Sequence, residues 1–286
     1  MTLSQRRFAI AAAAAAAGLA FAGCTGRTTP TDPGGSPRSS TAVDSARARP
    51  QTTGEGAGLL AFEDWTDRSG IEFVHTDGSA GRHYIMETVS CGLALFDYDG
   101  DGRLDIYFCN GAPLPGSAAD APPRHALYRN LGGMTFRDVS EEAGVACRAF
   151  GLGIAVGDYN NDGHPDIYLS NFGPNALYRN NGDGTFTNVA PSSCVERGHR
   201  VGAGACFLDI EADGDLDLFA ANYVQFSEAI HRAPKQRGRT VYPDPLDYPQ
   251  ETNSLFRNEG NGGWTDVSVS SGIAAKPGTG MGTVCG

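Results

Sequence analysis

An all-β fold assembled from repeated four-stranded units follows from three features of this 286-residue sequence. A carboxylate-rich loop recurs three times, a second strand-turn-strand signature follows each copy, and glycine fills 39 positions, about twice its average share. Aromatic residues make up 9% of the chain, and that balance favours short strands joined by tight turns over long helices. With 40% apolar and 19% charged residues, the chain can bury a real core, so a wholly disordered protein and an all-helical bundle are both excluded.

The loop copies are Asp97-Tyr-Asp-Gly-Asp-Gly-Arg-Leu-Asp105, Asp158-Tyr-Asn-Asn-Asp-Gly-His-Pro-Asp166 and Asp209-Ile-Glu-Ala-Asp-Gly-Asp-Leu-Asp217. A Gly-rich apolar segment precedes each one (residues 92–96, 151–157 and 202–208), and a β-rich segment follows (106–108, 167–169 and 218–220). The order is strand, loop, strand. Each copy then continues into Leu127-Tyr-Arg-Asn130, Leu177-Tyr-Arg-Asn180 or Leu255-Phe-Arg-Asn258, a glycine turn, and a further strand beginning at Thr135, Thr185 or Gly263.

Four strands per unit of about 50 to 60 residues is the arithmetic of a β-propeller blade, whose radial repetition leaves only short, protected edges. Residues 62–71 match the last strand of a unit, as in residues 136–145, and so predict an outer strand belonging to a blade completed elsewhere. Residues 280–286 repeat residues 151–157 and stop one residue short of a fourth loop. Three blades plus two partial strands fall below the four to eight that close a ring. The expectation is an incomplete propeller over residues 59–286, a truncated chain or fragment with exposed sheet edges.

Within each loop, oxygen-bearing side chains occupy places 1, 3, 5 and 9, and glycine takes the sixth (Gly102, Gly163, Gly214). Alternation turns every second side chain inward, while glycine permits the sharp turn, and the product is a cage of hard oxygens. Calcium, with six to eight such ligands, fits better than magnesium, which keeps several waters. The expected ligands are Asp97, Asp99, Asp101 and Asp105; Asp158, Asn160, Asp162 and Asp166; and Asp209, Glu211, Asp213 and Asp217, with backbone carbonyls from Arg103, His164 and Asp215. Up to three Ca²⁺ ions are implied. An EF-hand shares the opening but needs a bidentate Glu at place 12, where this chain has Phe108, Leu169 and Ala220. Glu211, longer than the acid it replaces, makes the third cage the most crowded.

The first 23 residues have the order of a secretory signal, with Arg6 and Arg7 before an apolar run too short to span a bilayer. The run ends in Phe21-Ala22-Gly23-Cys24, similar to a bacterial lipoprotein signal with Cys24 lipidated, although Phe21 stands where an aliphatic residue is usual. Residues 24–58 hold Thr, Pro, Ser, Gly and Arg with scarcely an apolar side chain, and read as a flexible tether. An exported protein of the bacterial cell envelope is expected, either lipid-anchored or periplasmic/extracellular. Residues 1–58 carry six Arg against three acids, so the remaining 16 bases and 30 acids give the folded part a net −14. Such a surface repels nucleic acid and anionic lipid and attracts cations. Six cysteines beyond Cys24 permit 15 pairings, with Cys147–Cys194 favoured by their comparable places between repeats, and no closely spaced Cys/His set suggests zinc.

Residues 81–88 (Gly-Arg-His-Tyr-Ile-Met-Glu-Thr) leading into Phe96-Asp-Tyr-Asp, the Leu-Tyr-Arg-Asn and Gly-Thr-Phe segments, and Ala220-Ala-Asn-Tyr-Val224 carry a family likeness. The chain resembles the FG-GAP (VCBS-type) repeats of integrin-like propellers, and more closely the bacterial relatives of cartilage acidic protein that carry a C-terminal ASPIC/UnbV domain. The resemblance implies a calcium-loaded, exported propeller, usually seven-bladed, used for adhesion or scaffolding. Two departures stand out: His231-Arg-Ala-Pro and Tyr242-Pro-Asp-Pro occupy places where relatives often have Cys-Arg-Ala-Pro and Tyr-Cys-Gly-Pro, which fits loss of one disulfide. The ASPIC/UnbV portion is absent from these residues.

The sequence holds no G-x-S-x-G, H-E-x-x-H or P-loop. His75, His83 and Glu87 form the one polar cluster of note, and bracing of a strand accounts for it better than catalysis. Gly151-x-Gly153 and Gly202-x-Gly204 recur at blade starts and are expected to be close-packing glycines, and Tyr128, Tyr178 and Phe256 to be blade core. No enzyme activity is expected: the sequence points to a calcium-binding interaction module for a protein or glycan partner. Its rival is a propeller enzyme, or enzyme subunit, acting on polysaccharide.

Overall fold

In a computed structural model, the structure describes residues 63–285 apart from residues 80, 90, 118–122, 197 and 199. The expected signal peptide with Cys24, the expected tether and residues 59–62, which include the first residue of the expected outer strand, lie outside them. Among the described residues there is no α-helix, only strands and short 3-10 turns, and no helix is long and apolar enough to cross a membrane.

Three four-stranded antiparallel sheets account for the repeats. In the first, β1 (Leu93–Phe96), β2 (Asp105–Phe108), β3 (Ala126–Gly132) and β4 (Thr135–Asp138) pair in chain order. The second repeats that order with β5 (Phe150–Gly157), β6 (Asp166–Phe172), β7 (Ala176–Asn180) and β8 (Phe186–Asn188). In the third, β9 (Gly202–Leu208) and β10 (Asp217–Asn222) are separated from the outer pair by an insertion that carries the small hairpin β11 (Lys235–Gln236) and β12 (Arg239–Thr240). Strands β13 (Ser254–Asn258) and β14 (Trp264–Asp266) then complete the sheet. These are propeller-type blades, and Phe108, Leu169 and Ala220 lie in strands, as the case against an EF-hand requires.

Period-2 alternation gives each blade two apolar faces. In β6 and β7, Ile167, Leu169 and Tyr178 pack with Tyr107 and Leu127 of the first blade, whereas Tyr168 and Leu177 pack with Leu218 and Phe256 of the third. The matched aromatics Tyr128, Tyr178 and Phe256 are at most 5% exposed and face the preceding element in each case, Tyr128 against Ile71 and Phe73. The blade-start glycines do what close packing requires: a Cβ on Gly153 would lie 1.9 Å from the Ala203 carbonyl oxygen, and one on Gly204 would lie 2.8 Å from the Thr283 nitrogen. Innermost strands therefore approach backbone to backbone, and Gly92 N–H donates to the Leu152 carbonyl at 3.1 Å.

Three expectations need correction. Residues 63–71 form no strand; they hold a 3-10 turn whose Ser69 carbonyl accepts from Phe136 N–H at 2.7 Å, just as Ala143 accepts from Phe186 at 2.9 Å. The likeness to residues 136–145 thus lies in the turn that follows a strand. Residues 279–285 run beside β9 without joining it as a strand, tied by Gly204 N–H to the Met281 carbonyl at 2.7 Å. The disulfide joins Cys206 to Cys285, not Cys147 to Cys194. Cys147 packs against the core between the first two blades, while the Cys194 thiol donates to the Trp264 carbonyl of the third blade at 3.4 Å.

His83 and Glu87, expected to brace an entry strand, instead flank and enter a 3-10 turn (Ile85–Thr88) and contact the insertion through Tyr242. Glu87 is buried and accepts from Tyr84 N–H, Ser79 hydroxyl and Tyr242 hydroxyl at 3.2, 3.1 and 2.9 Å, and the His83 ring lies 4.8 Å from that of Tyr242. His231 lies 2.8 Å from the Tyr248 hydroxyl and donates through Nε2 to the Arg82 carbonyl at 3.0 Å. Polar contacts therefore tie this segment to Tyr248 and Arg82. His75 is exposed.

His125 is fully buried beside Tyr107 and donates through Nε2 to the Ala149 carbonyl at 3.0 Å. Burial pushes its imidazole down to about 4. The folded protein prefers neutral His125, so this stability is complete above pH 6.5 and is lost as pH falls towards 4, about 3 kcal/mol in all. Urea midpoints across that window should fall more steeply for the wild type than for His125→Gln.

Linking residues 79 apart in sequence, the Cys206–Cys285 bond restricts the unfolded chain, and its loss in Cys285→Ser should cost about 2–4 kcal/mol. Urea unfolding with and without reductant measures this, and the variant should no longer respond to the reductant.

Candidate metal centre

Each loop is organised first by the acid at place 1. Asp97 accepts from the Asp101 and Gly102 amides at 3.1 and 2.8 Å, Asp158 from Asp162 and Gly163 at 3.1 and 2.8 Å, and Asp209 from Asp213 and Gly214 at 3.2 and 2.9 Å. The chain can fold back on one carboxylate only if it twice enters the left-handed region. Place 6 does so with Gly102, Gly163 and Gly214 at φ of 83°, 89° and 95°, and place 4 with Gly100, Asn161 and Ala212 at 73°, 57° and 60°. The strain at place 4 escapes a reading of side-chain types because glycine is absent from two of the three copies.

The acid at place 9 is the buried member and opens the second strand of its blade. Asp105, Asp166 and Asp217 are at most 1% exposed. One oxygen of each accepts from the place-2 amide, Tyr98 at 3.1 Å, Tyr159 at 3.1 Å and Ile210 at 2.8 Å. The other accepts from the Asn130, Asn180 or Asn258 amide at 2.7, 2.7 and 2.8 Å. Burial raises the Asp105 carboxyl above its usual range and pushes Asp166 up to about 7, against the lowering effect of those amides. Such acids call for a positive charge nearby.

In the first loop, oxygens of Asp97, Asp99 and Asp105 lie within 4.8 Å of one another, and Oδ1 of Asp99 is buried without a hydrogen-bond partner. That orphaned acceptor facing a three-carboxylate cluster fits a hard cation. Asp101 stands aside, bound to Arg103 and lying 3.3 Å from Arg129, whose Nε is 2.7 Å from Asp99. In the second loop, Asn160 donates to Asp162 at 2.7 Å, and Asp162 accepts from the His164 amide at 2.9 Å. In the third, desolvation and the neighbouring Asp217 carboxylate raise Glu211, which lies 3.8 Å from Arg257, while Asp213 accepts from the Asp215 amide at 3.0 Å. Asp99, Asn160 and Glu211 thus fill place 3 in three different ways, and the acids of places 1, 3 and 9 converge in the first loop alone among the described residues.

Sequence reasoning treated Leu-Tyr-Arg-Asn only as a strand marker and missed its asparagine. Besides its amide contact to place 9, Asn180 donates through Nδ2 to the Pro165 carbonyl of its own loop at 3.2 Å and to the Tyr98 carbonyl of the preceding loop at 2.8 Å. Asn258 repeats this with Leu216 at 3.2 Å and Tyr159 at 2.7 Å. Recurrence of Asn three residues after Leu in every copy was the available signal.

With that geometry in view, residues 97–169 and 158–220 match the family model described as FG-GAP-like repeat. Residues 97–220 therefore carry FG-GAP-like repeats. Cartilage acidic protein 1 of Homo sapiens is 36% identical over 189 residues, covering 58% of this chain and 28% of its own length. The same protein of Xenopus tropicalis is 33% identical over 171 residues, covering 58% and 26%. The chain therefore matches little more than a quarter of the length of these relatives. A solved Agrocybe aegerita lectin that recognises non-reducing terminal N-acetylglucosamine superposes with a TM-score of 0.31 at 17% identity, covering 61% of this chain and 36% of its own.

Replacing Asn180 by Ala strands the buried Tyr98 carbonyl of one blade and the part-buried Pro165 carbonyl of the next, and should cost about 1–3 kcal/mol. Asn130→Ala, whose Nδ2 reaches only the Leu104 carbonyl of its own loop at 2.9 Å, should cost less. Urea unfolding in EDTA gives both values, and equal losses would contradict the inter-blade role.

Proposed function

We propose that this chain is the calcium-stabilised propeller segment of an exported, cell-surface interaction module that binds a protein or glycan partner through its loops. The observation that carries the calcium reading is the cluster of Asp97, Asp99 and Asp105 with its unpartnered, buried Asp99 oxygen. Asp101 and the Arg103 carbonyl would complete the first site. Asp158, Asn160, Asp162, His164 and Asp166 would form the second, and Asp209, Glu211, Asp213, Asp215 and Asp217 the third, with places 7 giving backbone oxygens. When bound, calcium supplies charge neutralisation and cross-linking of each hairpin tip. Similarity to cartilage acidic protein 1 and the leader ending at Cys24 support an extracellular module held to the membrane by lipid.

A role without chemistry of its own is supported by the cleft beside the first loop. About 500 Å³ in volume, it is lined by Tyr98, Asp99, Arg129, Arg137, Glu142 and Thr185 among others. An enzyme acting on polysaccharide needs a free base and a free cation there, yet Arg129 is engaged by Asp99 and Asp101, and Arg137 by Glu142 at 3.0 Å. Burial raises the Tyr98 hydroxyl further from the range of a base.

At about 1 mM calcium and an affinity of about 0.1 mM, each filled site should add roughly 1.4 kcal/mol, or about 3–6 °C in melting temperature. Thermal melts should rise with calcium and fall with EDTA, and Asp97→Ala should lose one site's share. Melting temperatures indifferent to both reagents would remove the metal reading.

A further inference from the structure

Tyr98 and Tyr159 each offer their N–H to an acid of their own loop and their carbonyl to an asparagine of the next blade. From Asp105, the hydrogen bonds run to Tyr98 N–H at 3.1 Å and from the Tyr98 carbonyl to Asn180 Nδ2 at 2.8 Å. Asn180 N–H then reaches Asp166 at 2.7 Å, and Asp166 accepts from Tyr159 N–H at 3.1 Å. The Tyr159 carbonyl accepts from Asn258 Nδ2 at 2.7 Å, Asn258 N–H reaches Asp217 at 2.8 Å, and Asp217 accepts from Ile210 N–H at 2.8 Å. One unbroken series of contacts therefore threads all three place-9 acids. Between the second and third loops there is an additional link, since the Asn161 side chain donates to Asp215 at 2.7 Å and to the Gly214 carbonyl at 3.3 Å. Its counterpart in the first loop is Gly100, which has no side chain to offer.

We infer that the three acidic loops bind cations as a coupled array, filling of one loop raising the affinity of its neighbour through Asn180 and Asn258, with the second and third loops coupled more strongly than the first and second. This rests on the calcium reading of the same loops. Fixing the place-9 acid on an ion fixes the asparagine amide bonded to it, and through Nδ2 that asparagine orders the place-2 peptide of the preceding loop. The neighbour then has less conformational freedom left to lose when it binds, which is positive cooperativity. Direct repulsion between the ions opposes this, but salt screens it over about 8 Å at physiological ionic strength, whereas the bonded series is unaffected. Coupling should therefore grow as salt is added.

The experiment is calorimetric calcium titration of the full chain and of variants with loops emptied by paired Asp→Ala changes at places 1 and 5: Asp97 and Asp101, Asp158 and Asp162, or Asp209 and Asp213. For the protein retaining the second and third loops, the product of its two affinities should exceed that of the single-loop proteins by about fivefold or more. For the protein retaining the first and second, the excess should be smaller. Asn258→Ala should lower the former ratio to the share that the Asn161 link supplies, and Asn258→Ala combined with Asn161→Ala should bring it close to one. Asn161→Ala, a change at an exposed loop tip, should reduce it to the first-and-second value and serves if Asn258→Ala does not fold in EDTA, as judged by its melt. Calcium bound at each loop with affinities that ignore the neighbour, or neighbours that weaken one another at every salt concentration, would overturn the coupling while leaving the metal reading intact. No binding heat at any loop would overturn that reading as well.

Discussion

The buried carboxylate at the start of each second strand is the constraint on which the rest of the architecture depends. Asp105, Asp166 and Asp217 lie where apolar strand residues would pack well, and burying an acid there is costly unless its oxygens are fully engaged. They are engaged by one amide from the loop and one from the third strand. A single residue thereby fixes the width of the hairpin and the register of β2, β6 and β10 against β3, β7 and β13. Burial raises the Asp105 and Asp166 carboxyls above their usual range, and under the proposed calcium reading a cation at the hairpin tip would relieve that cost while closing the loop. On that reading, stability and ion recognition would share the same atoms.

Packing sets the remaining geometry. Alternation along each strand supplies a face for either neighbour, so that Tyr168 and Tyr178 lie in adjacent strands of one blade yet belong to different interfaces. Glycine at the innermost edge lets backbones meet where side chains have no room. Acidic loops, apolar interfaces and bare inner edges are therefore three radial zones of one blade, each specified by a different short stretch of sequence.

Much of this was legible in the residues because the pattern is stated three times. Strand order, loop limits, the place-6 glycines and the inward faces of Tyr128, Tyr178 and Phe256 all follow from aligning the copies. Where the copies diverge, legibility fails. Place 4 reads Gly, Asn and Ala, so its shared left-handed conformation was hidden. The disulfide escaped because Cys206 and Cys285 occupy no common repeat position, and spatial neighbourhood between successive inner strands is invisible to spacing. The outer strand assigned near residue 62 failed because the matched residues encode mostly the turn after a strand. The inter-blade bonds of Asn180 and Asn258 were missed because a side-chain amide reaching backwards across a blade boundary leaves no mark in the periodicity of its own strand.

That backward reach gives the molecule a direction in time. The Tyr98 carbonyl waits for a donor 82 residues further along, and that of Tyr159 for one 99 residues away. A polypeptide threaded out amino end first must therefore leave each hairpin tip unclasped until the following sheet has emerged and docked. Assembly runs one blade in arrears, and any pause in delivery exposes an acidic, half-finished rim.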